Sequence, residues 1–271
     1  MPSGFARPTT PQRPPSLPKR HAREQYPADP ASRYETAMLA YALGFYGCYA
    51  AAIAGAVPMW AGGAVGVLCL LRYFNQAHAM MHADVRRERR WHPARWVLII
   101  MGPLYLGYRE LRASHLLHHR EEGSGRDPDV LMMCESPFKA ALWCLLQPEL
   151  TTIDYFRQFR WRGRAVVGLG LQCAAYGGLM WLGGWPGLVL YNVMTRVGNG
   201  LAFFVFAWVV HTPWLWGQVR PPRMPALLAQ IWVVLIGWDN LVATRFHFLH
   251  HVFPHIPDRC LPEVSRRLAY D

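Results

Sequence analysis

Between Thr36 and Phe74 the chain is apolar and carries no charge until Arg72. That run is about twice the ~20 residues a helix needs to cross a bilayer. Its natural break is Gly55–Pro58, which predicts two tightly joined spans. A second long run begins after Arg164 and reaches Val210, and Gly183, Gly184, Pro186 and Gly187 divide it in the same way. Four transmembrane helices are therefore expected. Two further apolar stretches, Trp96–Tyr108 and Ala226–Trp238, are too short to span and read as interfacial or re-entrant segments. Neither strand alternation nor a repeat interrupts the pattern. The predicted fold is all-α: an integral membrane four-helix transmembrane bundle with a cytoplasmic, histidine-rich helical cap.

Polar positions add organisation. Residues 1–34 are rich in proline and arginine and hold no apolar stretch, which excludes a secretory signal and predicts a disordered cytoplasmic tail. Residues 35–271 form the membrane domain. A net charge of +11 raises the question of nucleic acid, but the basic residues alternate with apolar runs instead of forming a patch on a soluble domain. They fall in the tail, in "VRRERRWHPAR" (85–95), in "RQFRWRGR" (157–164) and beyond Arg220, while both hairpin turns lack lysine and arginine. By the positive-inside tendency the basic segments, both termini and the cap are cytoplasmic. The six cysteines show neither a CxxC nor a paired spacing, so no disulfide framework or zinc finger is expected.

The chemistry lies in three histidine clusters. "HAMMH" supplies His78 and His82, "HLLHH" supplies His115, His118 and His119, and "HFLHH" supplies His247, His250 and His251. Positions i, i+3 and i+4 share a helical face, so each cluster points its imidazoles one way. A lone histidine near a helix end is ordinarily a satisfied polar residue. Eight in three one-faced clusters on the same membrane side point instead to metal, for which neutral imidazole is the commonest ligand. Eight ligands exceed one tetrahedral zinc, and two metals sharing the set is the economical reading. Haem between facing spans or a metal-transport path would need histidines deep in the membrane, where the chain has Asn192 and Arg196 instead.

HxxxH, HxxHH and HxxHH around four spans resemble the membrane fatty acid desaturase–hydroxylase superfamily. "GRDPD" (125–129), "HHVFPHIP" and "LPEVSRRL" resemble its further sequence features. The resemblance covers about residues 36–265, all but the tail. It implies a non-haem di-iron site with O2 as co-substrate and a further histidine ligand after the fourth span, a place filled here by His211. No E-x-x-H occurs, so the carboxylate-rich site of soluble di-iron bundles is not expected. Asp84, Asp127, Asp129 and Asp239 are candidates for orienting imidazoles. His255, beyond Pro254, and His92, in the basic loop, are not expected to be ligands.

The resemblance further implies a membrane lipid or other hydrophobic substrate, oxidised at a C–H bond. With no flavin or cysteine-cluster motif in the chain, electrons are expected from a separate ferredoxin, cytochrome or flavoprotein reductase, and basic loops suit an acidic carrier. Fatty acyl desaturation fits the "HHVFPHIP" ending. Carotenoid ketolation or hydroxylation and alkyl-chain monooxygenation use the same residues. One misfit stands in the fourth span, where Asn192, Arg196 and Asn199 put a polar face at membrane depth. They either shape a polar end of the substrate pocket or lock the bundle by internal hydrogen bonds.

Overall fold

A computed structural model describes residues 25–83, 92–102, 106–134, 136–159, 163–212 and 215–268. Most of the expected tail, and the candidate Asp84, lie outside the described residues. Every regular element within them is a helix. The first, α1 (Ser32–Ile53), buries Met38, Phe45 and Tyr49 along one stripe. After the turn at Gly55–Pro58, α2 (Met59–His82) returns beside it and carries the first histidine pair on its last turns.

The segment expected as interfacial or re-entrant over Trp96–Tyr108 is a broken one, with residues 103–105 outside the described residues. A short α3 (Pro93–Val97) runs into a 3-10 turn at Leu98–Ile100, and α4 (Tyr108–Glu121) then begins the second cluster. Leu98 and Met101 are fully buried, so this irregular backbone needs partners for its carbonyls. Tyr46 donates to the Ile100 carbonyl at 2.7 Å and Gln172 to that of Ile99 at 2.8 Å, with Tyr191 also donating to Ile100. Side chains from the long helices thus hold the segment where regular structure cannot.

Two connecting helices, α5 (Pro137–Leu145) and α6 (Gln147–Gln158), precede the long apolar α7 (Gly163–Phe203). This helix is folded, not straight. Gly184 adopts φ 59° and ψ −160°, a conformation almost confined to glycine, and Pro186 follows. The rings of Tyr176 and Tyr191 then meet edge to face at 5.5 Å, whereas about 15 residues of straight helix would hold them ~22 Å apart. The two arms lie antiparallel, with the reversal within the Gly183–Gly187 region picked out by its composition.

Past α7 a π-helical turn (Phe204–Trp208) and a 3-10 turn (Val209–His211) end the apolar run. Then α8 (Ala226–Ile236) and α9 (Trp238–Arg245) meet at 117°, with Gly237 at φ 91° making the corner. Arg72 donates to the Val233 and Val234 carbonyls at 2.8 and 2.7 Å, and Asn75 to that of Ile236 at 3.1 Å. Those carbonyls sit at the C-terminal end of α8, where a cation and donors are favoured. This is what Arg72 does inside an apolar run. The chain closes with α10 (His247–Val252), bearing the third cluster, and α11 (Leu261–Arg267).

Among the described residues, two helical stretches suffice by length and hydropathy to cross a membrane, Ser32–Ile53 and Gly163–His211, and the bent α8–α9 pair makes a third if counted as one span. The α2 helix has the length, but Arg72, Asn75, Gln76 and two histidines dilute its second half. Residues 25–34, expected in the disordered tail, are packed: Tyr26 is buried in the cluster around Leu249 and Leu261, and Asp29 accepts from Tyr34 and Arg259.

Candidate metal centre

The three helical clusters and His211 converge on one volume. Helical phase brings His78 and His82 to the end of α2 on one face, and the HxxHH spacing does the same on α4 and α10. The π turn before His211 shifts the phase at the end of α7, as such turns do beside functional sites. The histidines sort into two groups of four, each with ligand atoms within 4.8 Å of one another: His78, His82, His115 and His250, then His118, His211, His247 and His251. His119 lies between them, its ring centroid 4.1 Å from that of His251 and its Nε2 3.1 Å from that of His115. The groups mix the clusters: α4 and α10 each contribute to both.

Within the groups the imidazoles are closer than side chains with nothing to share. Nε2 of His82 and His115 are 2.7 Å apart, and those of His247 and His251 are 3.0 Å apart. Neighbouring ligands at right angles about a cation, with metal–nitrogen bonds of ~2.1 Å, stand ~3.0 Å apart. Among the described residues, buried ring nitrogens of His78, His119, His211, His247 and His250 have no hydrogen-bond partner. Buried ring nitrogens left over in so tight a cluster fit a metal pair.

The outward nitrogens are held. His118 Nδ1 is 2.8 Å from Asp127 Oδ1, His250 Nδ1 is 3.0 Å from Asp258 Oδ1, and His211 Nδ1 is 3.0 Å from the Ala207 carbonyl. Such contacts fix ring orientation and leave Nε2 free to ligate. Asp127 is itself anchored by the Gly123 and Asp129 backbone N–H groups at 2.8 Å each. Asp129 is 3.8 Å from His118 Nδ1. Asp239 is half-exposed and pairs with Arg33 at 3.0 Å, and no hydrogen bond or ion pair to a histidine is seen for it among the described residues.

Two acids not singled out from the sequence join the site, Asp258 and Glu122. Glu122, just past α4, lies 3.1 Å from His251 Nδ1 and 3.7 Å from His211 Nε2. A glutamate beside another in a polar loop carries no helical phase, so the sequence offered no signal for it. Burial raises the Glu122 carboxyl to about 7 and that of Asp129 to about 6. Burial opposes charge on His118 too, but the Asp127 hydrogen bond and the charges of Asp129, Asp127 and Glu122 outweigh it and raise His118 to about 9. His115, His119, His247 and His251 are driven well below the usual imidazole value by burial and by one another, which keeps them neutral and ready to ligate.

The other histidines and the misfit residues fall elsewhere. His92 caps α3, its Nδ1 accepting from the Ala94 N–H at 3.3 Å, and His255 belongs to neither group. Asn192 and Asn199 donate to Leu188 and Thr195 carbonyls of their own helix at 2.9 and 2.8 Å. Arg196 reaches the Leu145 carbonyl at 3.1 Å and the Glu149 carboxylate. None of the three lines the narrow cavity of about 60 Å³ beside His78 and His115, whose walls include Phe74, Phe206, Gln147 and Thr151. Between the two readings of that polar face, internal hydrogen bonding is the one with observed partners.

Residues 54–270 match the family model described as fatty acid desaturase. No curated protein and no solved structure matches the chain.

Proposed function

Since the chain belongs to the fatty acid desaturase family, we propose that it is a membrane-bound, O2-dependent di-iron oxidoreductase that acts on C–H bonds of a lipid, most simply as a fatty acyl desaturase. The observation that carries this reading is the sorting of nine histidines into two four-membered groups with His119 between them. In it His78, His82, His115, His118, His119, His211, His247, His250 and His251 are the ligands of two irons. When bound, the metals would activate O2, the oxidant, for C–H cleavage, with the remaining electrons coming from a separate donor protein. The chain's own part is to orient the imidazoles, to keep water out, and to place the lipid. The cavity beside His78 and His115 is the proposed position of the reacting carbons.

Four membrane spans and a cytoplasmic cap holding the histidines complete the proposal. Both arms of α7 count as spans, and α2 crosses despite its polar second half, which sits where the histidines meet the cytoplasmic boundary. Basic segments on that side suit an acidic electron carrier.

A second reading is oxygenation, as in carotenoid ketolases and hydroxylases or alkyl-chain monooxygenases. Gln147 favours it: its amide N–H donates to Thr151 Oγ1, but its Oε1 is buried without a hydrogen bond among the described residues, and a plain hydrocarbon in the cavity would leave it unanswered. Lipid extracts from a host expressing the protein separate the two. Desaturation removes a pair of hydrogens from a lipid, whereas oxygenation adds an oxygen. Neither product, in a host supplying iron and a donor, would sink the enzyme reading.

A further inference from the structure

A second, larger cavity of about 700 Å³ lies apart from the histidines, where α3, the first turn of α4 and the first turn of α7 meet. It shares no lining residue with the cavity beside His78, and the proposed reaction makes no use of it. Its size falls within the ~300–1,000 Å³ of ordinary ligand sites. Three guanidinium side chains, Arg95, Arg109 and Arg164, stand on its walls, and Trp96, Ile99 and Val167 give it an apolar side.

Charge in the cavity is unbalanced. Arg95 is engaged by Glu35 at 2.8 Å. Arg109 and Arg164 are exposed and have no ion pair among the described residues. The acidic side chain on the wall, Glu110, folds back over the start of its own helix, since a Cβ at Gly107 would lie 2.8 Å from its Oε2. An unpaired positive pair beside an apolar wall answers an anion with a hydrocarbon part. A free phosphate would leave the apolar wall wet, and a neutral lipid would leave the arginines unanswered.

Position adds the source of that anion. Arg164 is the second residue of α7, and the uncharged run that crosses the membrane on the reading above starts directly after it. The cavity mouth is therefore at the bilayer boundary on the side where the basic segments collect. Basic pockets at that level bind phospholipid headgroups, each basic residue near the surface contributing ~1 kcal/mol. Planar guanidinium pairs suit phosphate oxygens in particular.

We propose that this cavity binds one anionic phospholipid, with its phosphate held between Arg109 and Arg164 and the start of its acyl chain laid on Trp96, Ile99 and Val167. The proposal rests on the membrane reading of the chain, but not on the identity of the lipid that is oxidised. Full-length, iron-loaded protein in detergent is titrated with phosphatidylglycerol, phosphatidylcholine and inorganic phosphate, and binding is followed by native mass spectrometry. One tightly bound phosphatidylglycerol is expected, with phosphatidylcholine much weaker and phosphate alone unable to displace it. Replacing both arginines (R109Q with R164Q) should weaken phosphatidylglycerol about thirtyfold while the iron content stays unchanged. Val167→Trp, which fills the apolar side and leaves the arginines intact, should weaken it as well.

Equal affinity for phosphatidylglycerol and phosphatidylcholine, or no change in either variant, overturns the site. So does a double variant that keeps its lipid but accepts electrons more slowly, because the arginines then belong to a protein carrier. Failure of the wild-type chain to insert into vesicles of either lipid would instead count against the membrane reading itself.

Discussion

Nε2 of His82, at the end of α2, lies 2.7 Å from Nε2 of His115, in the middle of α4. Neither residue is in the other's sequence cluster, and 33 positions separate them. Two neutral imidazoles at that distance share at most one proton, whereas a cation between them satisfies both lone pairs. Purified protein reconstituted with ferrous iron is therefore expected to hold two irons per chain. His115→Ala, at the junction of the first group with His119, should lose at least one of them together with activity. Metal analysis settles the point, and one iron in fully reconstituted wild type would refute the paired site.

His118 is expected to make metal uptake depend on pH. In the metal-free protein its imidazole is raised to about 9 by Asp127 and the neighbouring acids against the effect of burial. Nε2 can ligate only after its proton leaves, so below that value each pH unit should raise apparent affinity about tenfold, levelling near pH 9. His115, His119, His247 and His251 are already neutral at pH 7 and add no slope. Asp127→Asn removes the main support of the imidazolium. The levelling point should then fall toward neutrality, while loss of the orienting carboxylate weakens binding by about 10–100-fold. Affinities measured from pH 6 to 9 on both proteins test this, and identical profiles would remove Asp127 from the role.

Lone histidines separate by what they touch. His211 has its Nδ1 on the Ala207 carbonyl and its Nε2 buried without a hydrogen bond in the second group. His92 instead caps α3 and lies 3.6 Å from Glu35. His211→Ala should lose iron and turnover much as His250→Ala does. His92→Ala should keep both at the cost of about 1 kcal/mol of stability, the usual cost of a lost cap. His255→Ala should be impaired at most in part. Full iron in His211→Ala would leave the eight clustered histidines as the whole ligand set.

How far the sequence carries depends on whether a feature is periodic. The histidine faces were legible because i, i+3 and i+4 spacing fixes direction on any helix. The reversal in α7 was legible because Gly183, Gly184 and Pro186 cannot continue one comfortably. The partition of the histidines was not, since whether His115 meets His82 or His247 depends on how α4 crosses α2 and α10. The same holds for Arg72, whose carbonyl partners Val233 and Val234 lie more than 160 positions away. Asp239 had no spacing that tied it to a histidine cluster, and its partner in the structure is Arg33.

Arg196 is expected to act on the bundle and not on the substrate. Its guanidinium joins α7 to the Leu145 carbonyl and to Glu149, and it does not line the cavity beside the first histidine group. Arg196→Leu strands the Glu149 carboxylate and should lower the melting temperature, while Arg196→Leu with Glu149→Gln recovers part of the loss. Product identity and double-bond position should be the same in both. A shift in the position of oxidation along the lipid would return Arg196 to the substrate pocket.

Glu122 is the residue on which the second group's histidine-only description is most exposed to test. Its carboxylate stands 3.1 Å from His251 Nδ1 and 3.7 Å from His211 Nε2, so it faces the outward nitrogen of one expected ligand and the inward nitrogen of another. A carboxylate placed in that way orients His251 and offsets cationic charge in a buried volume. Glu122→Gln keeps the shape and hydrogen-bonding reach but removes the charge, and Glu122→Ala removes both. If orientation is its main work, Gln should retain most of the iron and Ala should lose about 10-fold or more in affinity. If charge is its main work, both variants should weaken metal binding to a similar degree. The 3.1 Å contact to His251 favours orientation, so the expected order of iron affinity is wild type, then Gln close behind, then Ala well below. Iron titration of the three proteins, with the first group's occupancy read separately in a His211→Ala background, decides between them. An Ala variant that binds both irons as tightly as wild type would show that Glu122 merely borders the site.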